Sequence, residues 1–128
     1  MKIRFIFLFL IFFGLLSCNN KSSTEIYELV KQTEKIQIVF NTRLDKYTDI
    51  TERRDIRKFD DYISEEDTPI YNCGYDGYII FFGEQGSVRM DFNLSDDCQH
   101  VLYIFGDVLQ TKKLTPDGLE YLRSLQPK

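Results

Sequence analysis

Histidine is almost missing from this chain: His100 is the only one in 128 residues. That excludes a two-histidine metal site within one copy, and no H-E-x-x-H pattern occurs. The chain also lacks a G-x-S-x-G turn that would raise a serine nucleophile. It has neither a P-loop nor a G-x-G-x-x-G to cradle phosphate. Internal repeats, low-complexity tracts and long linkers are absent, so the pattern predicts one small domain rather than an array. Cysteine is scarce, with three in all.

The longest apolar run is Phe5 to Leu16, twelve residues behind the positive start Lys2 and Arg4. A helix needs about 20 such residues to span a bilayer, so the run fits the core of a secretory signal. It ends in Leu15-Leu16-Ser17-Cys18. This segment resembles the lipobox of bacterial lipoproteins, a resemblance confined to residues 1–18. It implies that residues 1–17 are removed and that Cys18 carries the lipid as the first mature residue. Residues 18–23 would then be the lipidated cysteine and a polar tether, and 24–128 a single globular domain. Asn19 follows, where an Asp commonly retains such proteins at the inner membrane. The expectation is a lipid-anchored protein of the cell envelope, in the outer membrane if the host has one. Asn19 to Ser23 reaches at most about 18 Å when extended, which holds the domain close to the lipid.

The signal segment holds two of the 16 basic residues and none of the 20 acidic ones, leaving 14 against 20, a formal charge of −6. Nucleic acid is disfavoured, since phosphate binding needs a basic surface. A cationic partner is permitted. With Cys18 assigned to lipid, Cys73 and Cys98 remain, and an oxidising compartment predicts a disulfide between them. The alternative is a zinc site from Cys73, Cys98 and His100 with Asp96 and Asp97, which needs both thiols reduced. No cofactor is expected.

Ser22-x-x-Glu25 reads as a capping box for a first helix over about 24–35, with Ile26, Leu29, Val30 and Thr33 inward. A strand over 36–41 follows. Asp49-x-x-Glu52, or Thr51, would cap a second helix reaching residue 64, with Ile56, Phe59 and Ile63 inward. Residues 64–69 read as an acidic loop. Tyr78 to Phe82 reads as a strand buried on both sides, and Val88 to Leu94 alternates as a half-buried strand. His100 to Phe105 is a further strand, with Val108 and Leu109 as a possible continuation. Asp76-Gly77 competes as a hairpin turn. Thr115, Pro116 and the Leu114/Leu119 staple mark the last helix, with Leu119, Leu122 and Leu125 inward. The fold class is α+β: a small antiparallel sheet of about four strands with helices on one face, in the order α-β-α-β-β-β-α.

Arg53, Arg54, Arg57 and Lys58 stand at the start of the expected second helix, against the helix dipole and at like-charge i,i+4 spacing. They span an arc of about 140° opposite its apolar face. Together with Glu65, Glu66 and Asp67 they form a candidate interaction surface. Asp60-Asp61 and Glu65-Glu66-Asp67 supply carboxylates for a glycosidase-like pair, or they are a solvated run. Tyr71, Tyr75 and Tyr78 read as half-exposed strand positions or as a contact surface. The functional expectation is a non-enzymatic, membrane-anchored binding module with a protein or envelope-component partner. The alternatives are a small carboxylate-dependent hydrolase and an inhibitor or immunity lipoprotein blocking a cationic enzyme.

Overall fold

The computed structural model describes residues 25–128; Cys18, the apolar run before it and Ser22 lie outside the described residues. The fold is mostly sheet. Seven strands, β1 (Thr33–Phe40), β2 (Tyr47–Ile50), β3 (Ile63–Asp67), β4 (Gly77–Gly83), β5 (Gly86–Asn93), β6 (His100–Phe105) and β7 (Val108–Leu114), form one antiparallel sheet. Its order is β2-β1-β4-β5-β6-β7-β3. The helical segments are α1 (Glu25–Gln32), α2 (Arg53–Arg57), α3 (Phe59–Tyr62) and α4 (Pro116–Ser124).

The expectation of about four strands is therefore wrong, and three elements account for the difference. β2 is a four-residue edge strand whose Asp49, expected to open a helix, pairs with Gln37 instead. β3 carries Ser-Glu-Glu-Asp and was expected to be a loop. It is the opposite edge, with Ile63 paired to Leu114 and Asp67 to Lys112. Charged side chains are tolerated there because an edge strand has solvent on one flank, and they discourage pairing with other chains. β7 is a separate strand because Gly106 and Asp107, both at positive φ, turn the chain back on itself.

Alternation along the strands fixes two faces. Ile36, Ile38, Ile79, Phe81, Met90, Phe92, Val101 and Tyr103 point toward the helices and are buried. There they meet Ile26, Leu29, Ile56, Phe59, Leu119 and Leu122 in one apolar core. The opposite face bears Tyr78, Ile80, Phe82 and Leu102, all half-buried. β4 is thus buried fully on one side only. On its outer side Lys35 lies 4.6 Å over the Phe82 ring and Arg89 3.9 Å over Tyr78.

α1 ends three residues sooner than its apolar pattern suggests, and β1 begins at once with Thr33. The Thr33 hydroxyl donates to the Leu29 carbonyl at 2.7 Å, so the last inward residue of the pattern closes the helix. The second helix is broken at Lys58 into α2 and α3, and Glu52 precedes it without a side-chain cap bond. Ile63, the last residue of its apolar repeat, already belongs to β3. α4 starts as its signals indicate: the Thr115 hydroxyl accepts from the Gly118 N–H at 3.1 Å and Pro116 takes the first position.

Asp76-Gly77 is not a hairpin turn. The Asp76 N–H donates to the Phe92 carbonyl, its carboxylate accepts from the Leu94 N–H at 2.7 Å, and Gly77 opens β4. The segment before it, 68–76, lies over His100 as coil. Tyr71 and Tyr75 bring their rings within 5.0 and 5.6 Å of the imidazole, and Nδ1 meets the Cys98 carbonyl at 2.5 Å. His100 is fully buried, and Tyr71 and Tyr75 are not strand positions.

A disulfide joins Cys73 to Cys98, with Cα atoms 6.3 Å apart across 25 residues of sequence, and pins this segment to the sheet. Closing a loop of that length stabilises by about 3–4 kcal/mol through the unfolded chain. Replacing both cysteines by alanine should lower the unfolding free energy in urea by about 3 kcal/mol while leaving the far-ultraviolet circular dichroism unchanged. Unaltered stability would contradict this account of the bridge.

Candidate functional site

Two adjoining grooves lie on the helical side of the molecule. One, of about 500 Å³, is lined by Lys58, Asp61, Tyr62, Asp117, Glu120, Tyr121 and Ser124. The other, of about 320 Å³, is lined by Asp49, Ile50, Thr51, Glu52, Asp55 and again Lys58, Tyr62 and Tyr121. The shared wall is a stacked pair of tyrosines, with ring centroids of Tyr62 and Tyr121 4.8 Å apart and planes 20° apart. Phe59 supports the pair from the core, edge-on to Tyr62 at 5.2 Å and to Tyr121 at 5.8 Å.

The local sequence explains why these rings meet. α3 ends at Tyr62, whose carbonyl accepts from the Thr115 N–H at 3.0 Å. The next turn of α4 then passes directly over it. A Cβ on Gly118 would stand 2.2 Å from the Tyr62 carbonyl oxygen, so only glycine lets α4 come this close. Tyr121, three residues on, is thereby set against Tyr62.

Five carboxylates, those of Glu52, Asp55, Asp61, Asp117 and Glu120, surround this wall, while that of Asp49 accepts from Gln37 on the outer face of the sheet. Among the described residues Lys58 is the one cation lining either groove, and it is paired with Asp55 at 3.0 Å. That ion pair is exposed, so it contributes little to stability. Burial raises the pKa of both tyrosines; Asp117, Asp55 and Asp61 add to the effect at Tyr62 against Lys58, and the Tyr62 ring and Asp55 add to it at Tyr121. Both phenols stay neutral and present π-faces beside negative charge, an arrangement that favours ammonium and guanidinium groups.

The larger cavity, about 750 Å³ between α1 and the β4–β5 hairpin, is of another kind. Its most notable charged group, Arg53, is committed to the main chain. The guanidinium donates to the carbonyls of Thr33 at 2.6 Å, Val30 at 3.0 Å and Lys31 at 3.3 Å. Val30 and Lys31 lie in the last turn of α1, where a cation is favoured, and Thr33 opens β1 directly after it.

The expected basic arc is accordingly dispersed. Arg53 is a helix cap, Lys58 pairs with Asp55, and only Arg54 and Arg57 stand outward without an ion pair among the described residues. Of the acids, Glu65 and Glu66 are exposed on the β3 edge, while Asp67 pairs with Lys112. Asp60 has its pKa raised, first by burial and then by Asp61 and Glu65. It lines neither groove.

Cys73 and Cys98 are consumed in their bridge, and no group of three or more metal-ligating side chains is assembled among the described residues. The grooves are not legible in the sequence because their acids come from two stretches, 52–61 and 117–120, that only the fold unites. The Tyr62 and Tyr121 pair carried no local signal. No protein-family model, curated protein or solved structure matches the chain.

Charge-assisted bonds of the Arg53 kind contribute about 1.5–3 kcal/mol. Arg53→Met should therefore lower the urea unfolding free energy by about 2 kcal/mol, whereas Arg54→Met changes it by less than about 0.5 kcal/mol. Equal effects at the two positions would contradict the cap.

Proposed function

We propose that the protein is a lipid-anchored, non-enzymatic binding module of the bacterial cell envelope that takes a cationic partner against the Tyr62–Tyr121 wall. The observation that carries this reading is the ring of five carboxylates around two stacked neutral tyrosines, with Lys58 among them. Segregated charge of this kind steers encounter and fixes orientation. The lipobox-like segment ending in Cys18 supports the anchor, and an outer-membrane location is favoured if the host has one. A basic envelope protein, including a cationic enzyme held inactive, has the matching chemistry. The outward Arg54 and Arg57, and Glu65 and Glu66 on the β3 edge, act at the rim of this surface.

The test is cross-linked capture from native envelopes with the full-length protein, using circular dichroism to verify folding. Reversing Asp61, Asp117 and Glu120 to lysine should reduce capture by about tenfold or more, as expected where charge pairs are lost at a binding centre. Reversing Glu65 and Glu66 should reduce it only about twofold, and reversing Arg54 and Arg57 should not reduce it at all. Capture that survives the groove reversal contradicts the proposal. Hydrolysis of cell-wall fragments that disappears on substitution of these acids would replace it with an enzymatic function.

A further inference from the structure

We propose that the tip of the β6–β7 hairpin is a second membrane contact, seated in the interface of the same lipid surface that holds Cys18. This rests on the lipid-anchor reading and adds to it a contact face and an orientation.

Three large apolar side chains are exposed on this one hairpin: Ile104 at 61%, Val108 at 54% and Leu109 at 48%. Ile104 pairs with Leu109 and Phe105 with Val108, so the tip is apolar on both faces of the ribbon. The turn between them, Gly106-Asp107, has φ of 57° and 64°. Two successive residues at positive φ are the signature of a tight two-residue hairpin turn. The apolar end is therefore carried on a firm projection rather than on a loose loop.

Its place in the molecule points to lipid. Gln110, the residue after Leu109, donates through Nε2 to the Glu25 carboxylate at 3.5 Å. Glu25 is the first residue of α1 and the first described residue of the chain. Cys18 is seven residues upstream, a span of at most about 25 Å. Lipid on Cys18 would thus be held within that reach of the apolar tip. The strand registers place the other hairpin, at Gly83–Gly86, at this same end of the sheet. The turn after β1 and the disulfide-tied segment 68–76 lie at the far end.

The tip is too small to form a stable interface with a second copy, which takes about 800 Å² from each partner. β3 and Thr68 cover β7 from Leu114 back to Thr111, so the open edge at the tip is limited to Val108–Gln110, too short for a stable added strand. A lipid interface accepts a few apolar side chains to a depth of about 5–10 Å. Asp107 at the turn, with Glu25 bonded to Gln110 three residues along β7, sets both the depth and the lipid class. A carboxylate at the tip holds it at headgroup level and disfavours an anionic surface, so the surface it fits is zwitterionic.

The chain contains no tryptophan, so Leu109→Trp installs a single reporter at the tip and Ile70→Trp, at a residue 67% exposed in segment 68–76, a control at the far end. The full-length lipidated protein is reconstituted into phosphatidylcholine vesicles with brominated acyl chains. Leu109→Trp fluorescence should be quenched several-fold more than that of Ile70→Trp. Adding Ile104→Asp and Val108→Asp should bring it down to the control while vesicle retention persists. Vesicle-bound protein in which the two reporters are quenched alike overturns the proposal and leaves the anchor standing. A concentration-dependent blue shift with a dimer in sedimentation, and no quenching, assigns the tip to a second copy and also overturns it. If Cys18→Ala leaves vesicle retention and lipid labelling unchanged, the anchor fails and the proposal falls with it.

Discussion

Phe59 is the residue on which the helical half of the molecule rests. It is fully buried, meets Phe81 of β4 edge-on at 5.9 Å, and supports Tyr62 and Tyr121 on its other sides. One ring thus ties the sheet, α3 and α4 together. Truncation of a buried aromatic of this kind costs about 3–5 kcal/mol. α2 and α3 are only five and four residues long and have little stability as isolated helices. They hold their shape because Ile56 and Phe59 are buried in the core and because Arg53 fastens α2 to the end of α1.

The same constraint decides which side of the protein offers concave surface. A single sheet must bury one face, and the helices gathered around Phe59 bury it. The outer face is left with mixed polar and apolar side chains, and its aromatic rings are partly covered by their own cations, Lys35 and Arg89. Arg89 is further fixed by Asp91 at 3.0 Å. The helical side instead offers concave surface, and its rim carries carboxylates from α2, α3 and α4 and from Glu52 just before α2. Fold and electrostatics therefore favour the same side.

Elements with a strong local signature were legible in the sequence. β5 announced itself by strict alternation, β6 by its apolar run, and α4 by Thr115, Pro116 and its leucines. The cysteine pair followed from counting and compartment. What was not legible depended on partners far away in sequence. β3 reads as an acidic loop until Leu114 and Lys112 give its backbone a strand to pair with. Asp49 reads as a cap until Gln37 pairs with it. Arg53 reads as part of a charged face until the carbonyls of α1 arrive beside it. The Tyr62–Tyr121 wall depends on Gly118, whose role is visible only once α4 lies on α3.

On the proposed reading, the partner is taken on the side organised by Phe59 and not on the open sheet face. Site-specific photocross-linking in native envelopes tests it most directly. A benzophenone side chain is placed at Glu120, exposed at the groove, or at Ser87, exposed on β5 and paired with Phe82 on the outer face. The account predicts a light-dependent protein adduct from position 120 and none from position 87. An adduct from position 87 alone would contradict it.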